Sequence, residues 1–313
     1  MRKLISFLLL VSMLTVCLSS CSSKKYDTAF ELINSGNYTA AYEIFCELGD
    51  YKDSQKEIEK FHFAPTELLM KKETAGAEEV VSTVTISYNE QKLPSKIVIY
   101  SENGQNTIYE YSYDENGNRV KLVTTDYSGN QSTQDAIYDS NNNCIKMIST
   151  DSQGNKSAFD YSYDEKGNII RVTSPATYNG KPSLTYTDFT YDDKGNLIRK
   201  TSKFPESNEF ETYTDYTYDN DGNLIKQVWA NGSIQKINDY TYDEDGNLVR
   251  QAVTQIDGNK SIYDYTYGGD GNLVRVTTTS SDGQKSFIDI SYTFVYTQFG
   301  AQIESILEGF LSF

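Results

Sequence analysis

The chain has 313 residues, with 44 acidic against 28 basic side chains and a formal net charge of −16 at pH 7. Removing Arg2 and Lys3 with an N-terminal signal leaves 26 bases against 44 acids, or −18, and this balance excludes nucleic acid and anionic headgroups as electrostatic partners. With four cysteines and one histidine, neither a disulfide framework nor a metal site is expected, and no cofactor is predicted.

Residues 1–20 are predicted to be a secretory signal peptide that is not part of the fold. Arg2 and Lys3 give a positive start, and Leu4 to Leu18 is mostly apolar but too short for a membrane span. The ending Leu18-Ser19-Ser20-Cys21 resembles the lipobox of bacterial lipoproteins. The resemblance implies lipidation of Cys21, which would anchor the protein to a membrane. The alternative is a cysteine that merely follows an ordinary cleavage site.

Residues 21–25 are predicted to form a tether and residues 26–63 a helical module. Apolar residues recur there at helical spacing, and Gly36 and Gly49 end two helices before a third begins. The segment from Gly36 to Phe45 resembles the turn and second helix of a tetratricopeptide repeat. Two interpretations stay open: a helical cap packed on the sheet or, as the resemblance implies, a peptide-binding groove.

Residues 64–297 are predicted to form a β-sheet built mainly from a repeat that runs from Tyr88 to Tyr292, with copies 24 to 28 residues apart. Its clearest copy runs from Tyr240 to Arg250, with Asp243 at the first and Gly246 at the fourth position of a turn. This pattern is typical of a type I turn closed by a glycine at positive φ. The flanking residues are aromatic or branched, so each unit is predicted to be one β-hairpin. The repeated tyrosines are Tyr88, Tyr113, Tyr138, Tyr163, Tyr191, Tyr218, Tyr242, Tyr267 and Tyr292.

Consecutive hairpins predict a mainly β fold: a long antiparallel β-meander with a small N-terminal α-helical hairpin module. The connecting turns, such as that of Gly258, are predicted to be longer and more tolerant of substitution than the turn of Gly246. After Tyr292 the period breaks and helical spacing returns. Residues 298–313 are therefore predicted to form a C-terminal capping helix that covers the exposed edge of the last strand.

The turn geometry also predicts which side chains share a face. A single bulge at Gly246 pairs Tyr242 with Leu248 and Tyr240 with Arg250, which places tyrosines and a base together and an acidic column opposite. This tyrosine and base face is the candidate binding surface; the alternative is that the two residue types satisfy each other and stiffen a thin sheet. The candidate residues are Tyr161, Tyr163, Arg171, Tyr216, Tyr218, Lys226, Tyr240, Tyr242, Arg250, Tyr265, Tyr267 and Arg275.

Nothing in the sequence indicates an active site, so the protein is predicted not to be an enzyme. His62 lies between Phe61 and Phe63, a setting typical of packing. The carboxylates fall at one position per repeat, which indicates structure and not a catalytic pair. The Asp219–Asn223 turn resembles a calcium loop only superficially, because its glycine is fourth and that of an EF-hand is sixth.

The motif Tyr-x-Tyr-Asp-x-x-Gly-Asn-Leu resembles the YD repeat, also called the RHS repeat, of bacterial surface and toxin proteins. The resemblance covers about two thirds of the chain and implies an antiparallel hairpin array on a cell-envelope protein. Asn stands where that family often has Arg after the glycine. The encapsulating role of long RHS proteins is not carried over to this chain.

These observations predict a membrane-anchored lipoprotein of the cell envelope, exposed outside the cytoplasm. The first functional hypothesis is a non-enzymatic binding or scaffold module for an envelope protein or a glycan. The second is a small RHS-type toxin or secretion component that acts as a delivery or immunity partner. A third, an envelope hydrolase, requires one specific carboxylate pair.

Overall fold

The computed structural model describes residues 22–74, 76–178, 180–204, 211–232, 234–269 and 271–297. The predicted signal peptide, Cys21 and the capping helix predicted for 298–313 lie outside these residues. No helix in the described ranges is both long and apolar enough to cross a membrane.

The described chain contains three helices followed by eighteen strands. The helices are α1 (residues 22–34), α2 (Tyr38–Leu48) and α3 (Ser54–Ile58). The strands are β1 (Phe61–Thr74), β2 (Ala77–Tyr88), β3 (Pro94–Ser101), β4 (Asn106–Tyr113), β5 (Arg119–Thr125), β6 (Gln131–Tyr138), β7 (Cys144–Thr150), β8 (Lys156–Tyr163), β9 (Ile169–Tyr178), β10 (Lys181–Tyr191), β11 (Leu197–Lys203), β12 (Glu211–Tyr218), β13 (Leu224–Asn231), β14 (Ile234–Tyr242), β15 (Leu248–Thr254), β16 (Lys260–Tyr267), β17 (Leu273–Thr279) and β18 (Lys285–Tyr296).

The strands form one antiparallel sheet that closes on itself. Each strand pairs with the next along the chain, and β1 pairs with both β2 and β18. The prediction of a mainly β antiparallel meander with a small N-terminal helical module is confirmed. The prediction of an open sheet is wrong, because the edge of β18 that the C-terminal helix was expected to cover is already paired with β1. Closure removes the unpaired strand edges through which open sheets associate.

The chain divides into two compact units. One contains the helices with residues 88–94 and the described residues after Ser291, and the other contains Glu67–Ser87 and Ser95–Ser291. In the first unit Phe45 is fully buried, with the rings of Tyr26 and Phe30 edge-on to it at centroid distances of 5.7 and 5.4 Å. Burying such aromatic surface stabilises the helices, which are too short to be stable alone.

Most hairpin turns in the second unit are held by an aspartate at their first position; in the turn after Tyr267 that position is Gly268. Asp243 Oδ1 accepts the backbone N–H of Asp245 at 3.1 Å and that of Asn247 at 2.8 Å, and Oδ2 accepts Asn247 Nδ2 at 3.0 Å. These hydrogen bonds lower the pKa of Asp243 because they stabilise its charged form, and the largest contribution is from the Asn247 side chain. Gly246 has φ of 84°, so the predicted glycine geometry is confirmed.

Several connecting turns, including that of Gly258, use the same geometry as the hairpin turns. Gly258 has φ of 83°, and its N–H donates to the carbonyl of Gln255. The expectation that the Gly258 turn is more tolerant of substitution is therefore wrong. Both ends of the strands depend on a residue at positive φ.

We expect Gly246→Val to lower the free energy of unfolding by about 1–3 kcal/mol, because a branched residue is strained at positive φ. Nothing lies within 4 Å of a Cβ added at Gly246, so the cost is conformational and not steric. Gly246→Asn is the matched control, since Asn142 takes the equivalent position with φ of 63°. Urea unfolding should show a clearly smaller loss for Asn than for Val; equal losses would contradict the explanation.

Candidate functional site

A second bulge in each repeat hairpin decides which side chains share a face. Tyr242 pairs with Leu248, as predicted, but the next pair is Thr241 with Arg250. The residue between Leu248 and Arg250 is therefore extra, and it turns the base to the face opposite Tyr240. The predicted pairing of Tyr240 with Arg250 is wrong. The same register shift recurs in the other repeat hairpins.

The candidate binding surface is consequently split between the two faces of the sheet. The tyrosines Tyr161, Tyr163, Tyr216, Tyr218, Tyr240, Tyr242, Tyr265 and Tyr267 share one face. The bases Arg171, Lys226, Arg250 and Arg275 lie on the other.

On the second face, the base of each unit forms an ion pair with the acid of the following hairpin. The partners stand directly opposite each other, with N–O distances of 2.5 to 3.8 Å. Their side chains are 25 to 57% exposed, so this face meets water. The pairs are Lys96–Glu110, Lys121–Asp135, Lys146–Asp160, Arg171–Asp188, Arg199–Asp215, Lys226–Asp239, Arg250–Asp264 and Arg275–Asp289.

Where the sheet closes, the ion pairs join into a network of four charges. Lys71 of β1 binds Asp289 of β18, which also accepts from Arg275 at 2.5 and 2.8 Å. The Arg275 guanidinium reaches on to Glu78 of β2 at 2.9 and 3.0 Å. Hydrogen bonds from Arg275 are the largest cause of the lowered pKa of Asp289 and of Glu78. The first two and last two strands are thus joined through side chains as well as backbone.

On the tyrosine face, the turn tyrosines of six units are each tied to the unit before. Each hydroxyl donates to the backbone carbonyl of the residue opposite the preceding turn tyrosine, at 2.7 to 3.0 Å. These bonds fix the rings and satisfy the phenol groups. They run from Tyr138 to Arg119, Tyr163 to Cys144, Tyr191 to Ile169, Tyr218 to Leu197, Tyr242 to Leu224 and Tyr267 to Leu248.

The tyrosines are held in a more buried environment than the ion pairs, so we take the tyrosine face as the inner face of the closed sheet. Val253 and Val276, which lie on it, are 5% and 2% exposed. Burial raises the pKa of Tyr240 and raises that of Tyr265 to about 12. The inner face therefore presents neutral phenols and aliphatic groups, and the ion-pair face is the outer face.

Comparison with known proteins gives no family. No protein-family model and no curated protein matches the chain. Solved structures that match include a porin-like protein from Bacteroides uniformis, 14% identical with a TM-score of 0.42, covering 73% of this chain and 96% of that one. A porin-like protein from Bacteroides vulgatus is 13% identical with a TM-score of 0.36, covering 59% and 94%. Likeness at this level supports no conclusion about the activity of this chain.

The family assignments made from the sequence are wrong. The sheet is a closed ring of 18 strands and not an open YD-repeat array, and the matching structures named above are porin-like proteins. The tetratricopeptide assignment is also wrong. So are the two functions predicted from these families, the binding or scaffold module and the RHS toxin component. The motif reflects hairpin chemistry: Asp, Gly and Asn build the turn, and Tyr ties one hairpin to the next.

We expect Tyr240 and Tyr265, on the inner face, to ionise only as the sheet opens. The folded pKa of Tyr265 lies above its ordinary value of 10.0, so the stability it contributes is complete below pH 10 and is lost as the pH rises towards 12. The ultraviolet phenolate absorbance of these residues should rise together with loss of the β circular-dichroism signal. A single step near pH 10 with the sheet intact would contradict the assignment of the inner face.

Proposed function

We propose that the protein is a non-enzymatic, lipid-anchored component of the bacterial cell envelope whose closed barrel holds or passes small solutes. The observation that carries the proposal is the closure of eighteen strands into one ring with the turn tyrosines on its inner face. Barrels of about 16–18 strands are wide enough to leave an aqueous interior. Phenol rings fixed by hydrogen bonds to the backbone make that interior firm and uncharged over most of its surface.

The charged side chains of the outer face favour a barrel that is surrounded by water. Eight ion pairs cross it, whereas a charged group on a lipid-facing surface costs about 2–4 kcal/mol at the membrane midplane. Strands such as β15 and β16 have 7 and 8 residues, and a strand that crosses a membrane needs about 9–11. A barrel of this kind suits the aqueous side of a membrane, held there by an attached lipid.

The location outside the cytoplasm is supported by the N-terminal sequence. Residues 1–20 have the charge and apolar pattern of a signal peptide, and Cys21 follows at the position of a lipidated cysteine. A second signal, such as a second acyl chain, makes lipid anchoring stable.

Thiol labelling tests the enclosed interior with a matched pair of neighbouring residues. Thr277 pairs with Asp264 on the outer face and Thr278 pairs with Tyr263 on the inner face. In a background with Cys46→Ser and Cys144→Ser, a small maleimide should label both Thr277→Cys and Thr278→Cys. A long polyethylene glycol maleimide should label only Thr277→Cys, because it cannot enter the barrel.

Equal labelling of both variants by the large reagent would contradict the enclosed interior. The same proteins in membranes test where the barrel stands. In the membrane-bound protein, the cysteine of Thr277→Cys should react with a water-soluble maleimide as fast as it does in the protein free in detergent-free solution. Protection of that position in membranes would show that lipid covers the outer face, and the aqueous location would be wrong.

The anchor is tested separately. We expect Cys21→Ala to move the protein from the membrane fraction to the soluble fraction, because the substitution removes the thiol that carries the lipid. Cys46→Ala is the control and should stay with the membrane, since Cys46 lies on α2 as an exposed free thiol. Retention of Cys21→Ala on membranes after a high-salt wash would show that lipid at this position is not the anchor.

A further inference from the structure

The inner face changes chemical character over three neighbouring hairpins. The residue that follows each paired base lies on this face and is aliphatic or thioether in most units. In β11, β13 and β15 it is Lys200, Gln227 and Gln251. The apolar residues at the same position are Ile97, Leu122, Met147, Val172 and Val276. Lys200, Gln227 and Gln251 give these hairpins a polar inner position where the other units have an apolar one, and a departure from a repeated pattern is where a functional site is expected.

The strand register places the only tryptophan of the chain between two lysines in one row of this region. Lys200 pairs with Thr214, Thr214 with Trp229, and Trp229 with Lys236. Within the described ranges, neither lysine has a carboxylate within the 4.0 Å of an ion pair, in contrast to the bases of the outer face. Two lysines without an ion-pair partner among the described residues therefore share the inner-face row of the indole, with Lys236 directly opposite Trp229 and Lys200 two strands away.

The next row offers hydrogen bonds. Gln227 stands between Tyr216 and Asn238. Its Oε1 accepts from Asn238 Nδ2 at 2.7 Å and from the hydroxyl of Tyr240 at 3.1 Å, which leaves the Gln227 amide to donate. The Asn238 Oδ1 is buried and accepts no hydrogen bond from any described residue. The row thus holds a donor and an acceptor next to the indole and the lysines.

We propose that Lys200, Trp229, Lys236, Gln227 and Asn238 form a site for a small anion that carries a ring or another flat face. The proposal rests on the proposed function, because the site needs an enclosed aqueous interior. The lysines attract the carboxylate or phosphate of the ligand, because the acids of the neighbouring hairpins are paired on the outer face, as Asp215 and Asp239 are, or lie in turns, as Asp243 does. The indole packs on the ring, and the two amides bind its polar substituents.

Trp229 reports on this site by its own fluorescence, since no other tryptophan contributes. Quenching of the indole by each ion is expressed relative to quenching by neutral acrylamide. On this scale we expect iodide to quench at least about threefold more efficiently than caesium, because the lysines concentrate anions beside the indole. The variant Lys200→Met with Lys236→Met should abolish the preference. Lys203→Met is the matched control, since Lys203 lies on the same strand but faces outward to Asp188. Far-ultraviolet circular dichroism checks that every variant is folded.

Ligand binding is measured with D-glucuronate as the anionic ring and D-glucose as its neutral counterpart. D-glucuronate should change the Trp229 fluorescence saturably, and its apparent Kd should rise about tenfold or more in the double lysine variant, equivalent to 1.4 kcal/mol or more. Equal quenching by iodide and caesium, an iodide preference that survives in the double variant, or no saturable effect of D-glucuronate over D-glucose would each overturn the proposal. If Thr278→Cys still excludes the large maleimide, the barrel is enclosed and only the anion site is wrong.

Discussion

The pairing of β1 with β18 is the contact on which the rest of the barrel depends. Short antiparallel strands are marginally stable in isolation, and each gains when both of its edges are hydrogen-bonded. Ring closure gives every strand two neighbours and defines an inside and an outside. The Lys71, Glu78, Arg275 and Asp289 network lies at this junction and adds charge-assisted hydrogen bonds between strands far apart in sequence.

Two different side-chain bonds join each hairpin to the next, one on each face. On the outer face the base of one hairpin meets the acid of the following one, as Arg250 meets Asp264. On the inner face a tyrosine hydroxyl meets a carbonyl, as Tyr267 meets that of Leu248. Both depend on the second bulge, because it turns the base outward, opposite its acid, and leaves the tyrosines on the inner face. The charged groups stay in contact with water and the neutral phenols lie on the inner face, which keeps the desolvation free energy of both low.

The geometry of the individual turns could be predicted from the sequence. Asp243 and Gly246 predict the turn between them, and the pairing of Tyr242 with Leu248 follows from that turn. The second bulge could not be predicted, because its extra residue is an ordinary aliphatic with no conformational signature such as glycine provides. Ring closure could not be predicted either, since Lys71 and Glu78 lie before the repeat and share none of its pattern. Local turn chemistry is encoded within one unit, whereas closure depends on strands at opposite ends of the chain.

A repeat array makes departures from its own pattern informative. Within one chain the same position is sampled several times under nearly the same structural demands, so the usual residue shows what stability requires there. Val172 and Val276 show that the inner position after the base favours an apolar group, and Gln227 and Gln251 depart from it. Once the register assigns these residues to the inside, their polarity can no longer be explained as exposure on a solvated outer face. The candidate site could therefore be read from the sequence only after the second bulge had been located, because one residue of register decides which face a side chain occupies.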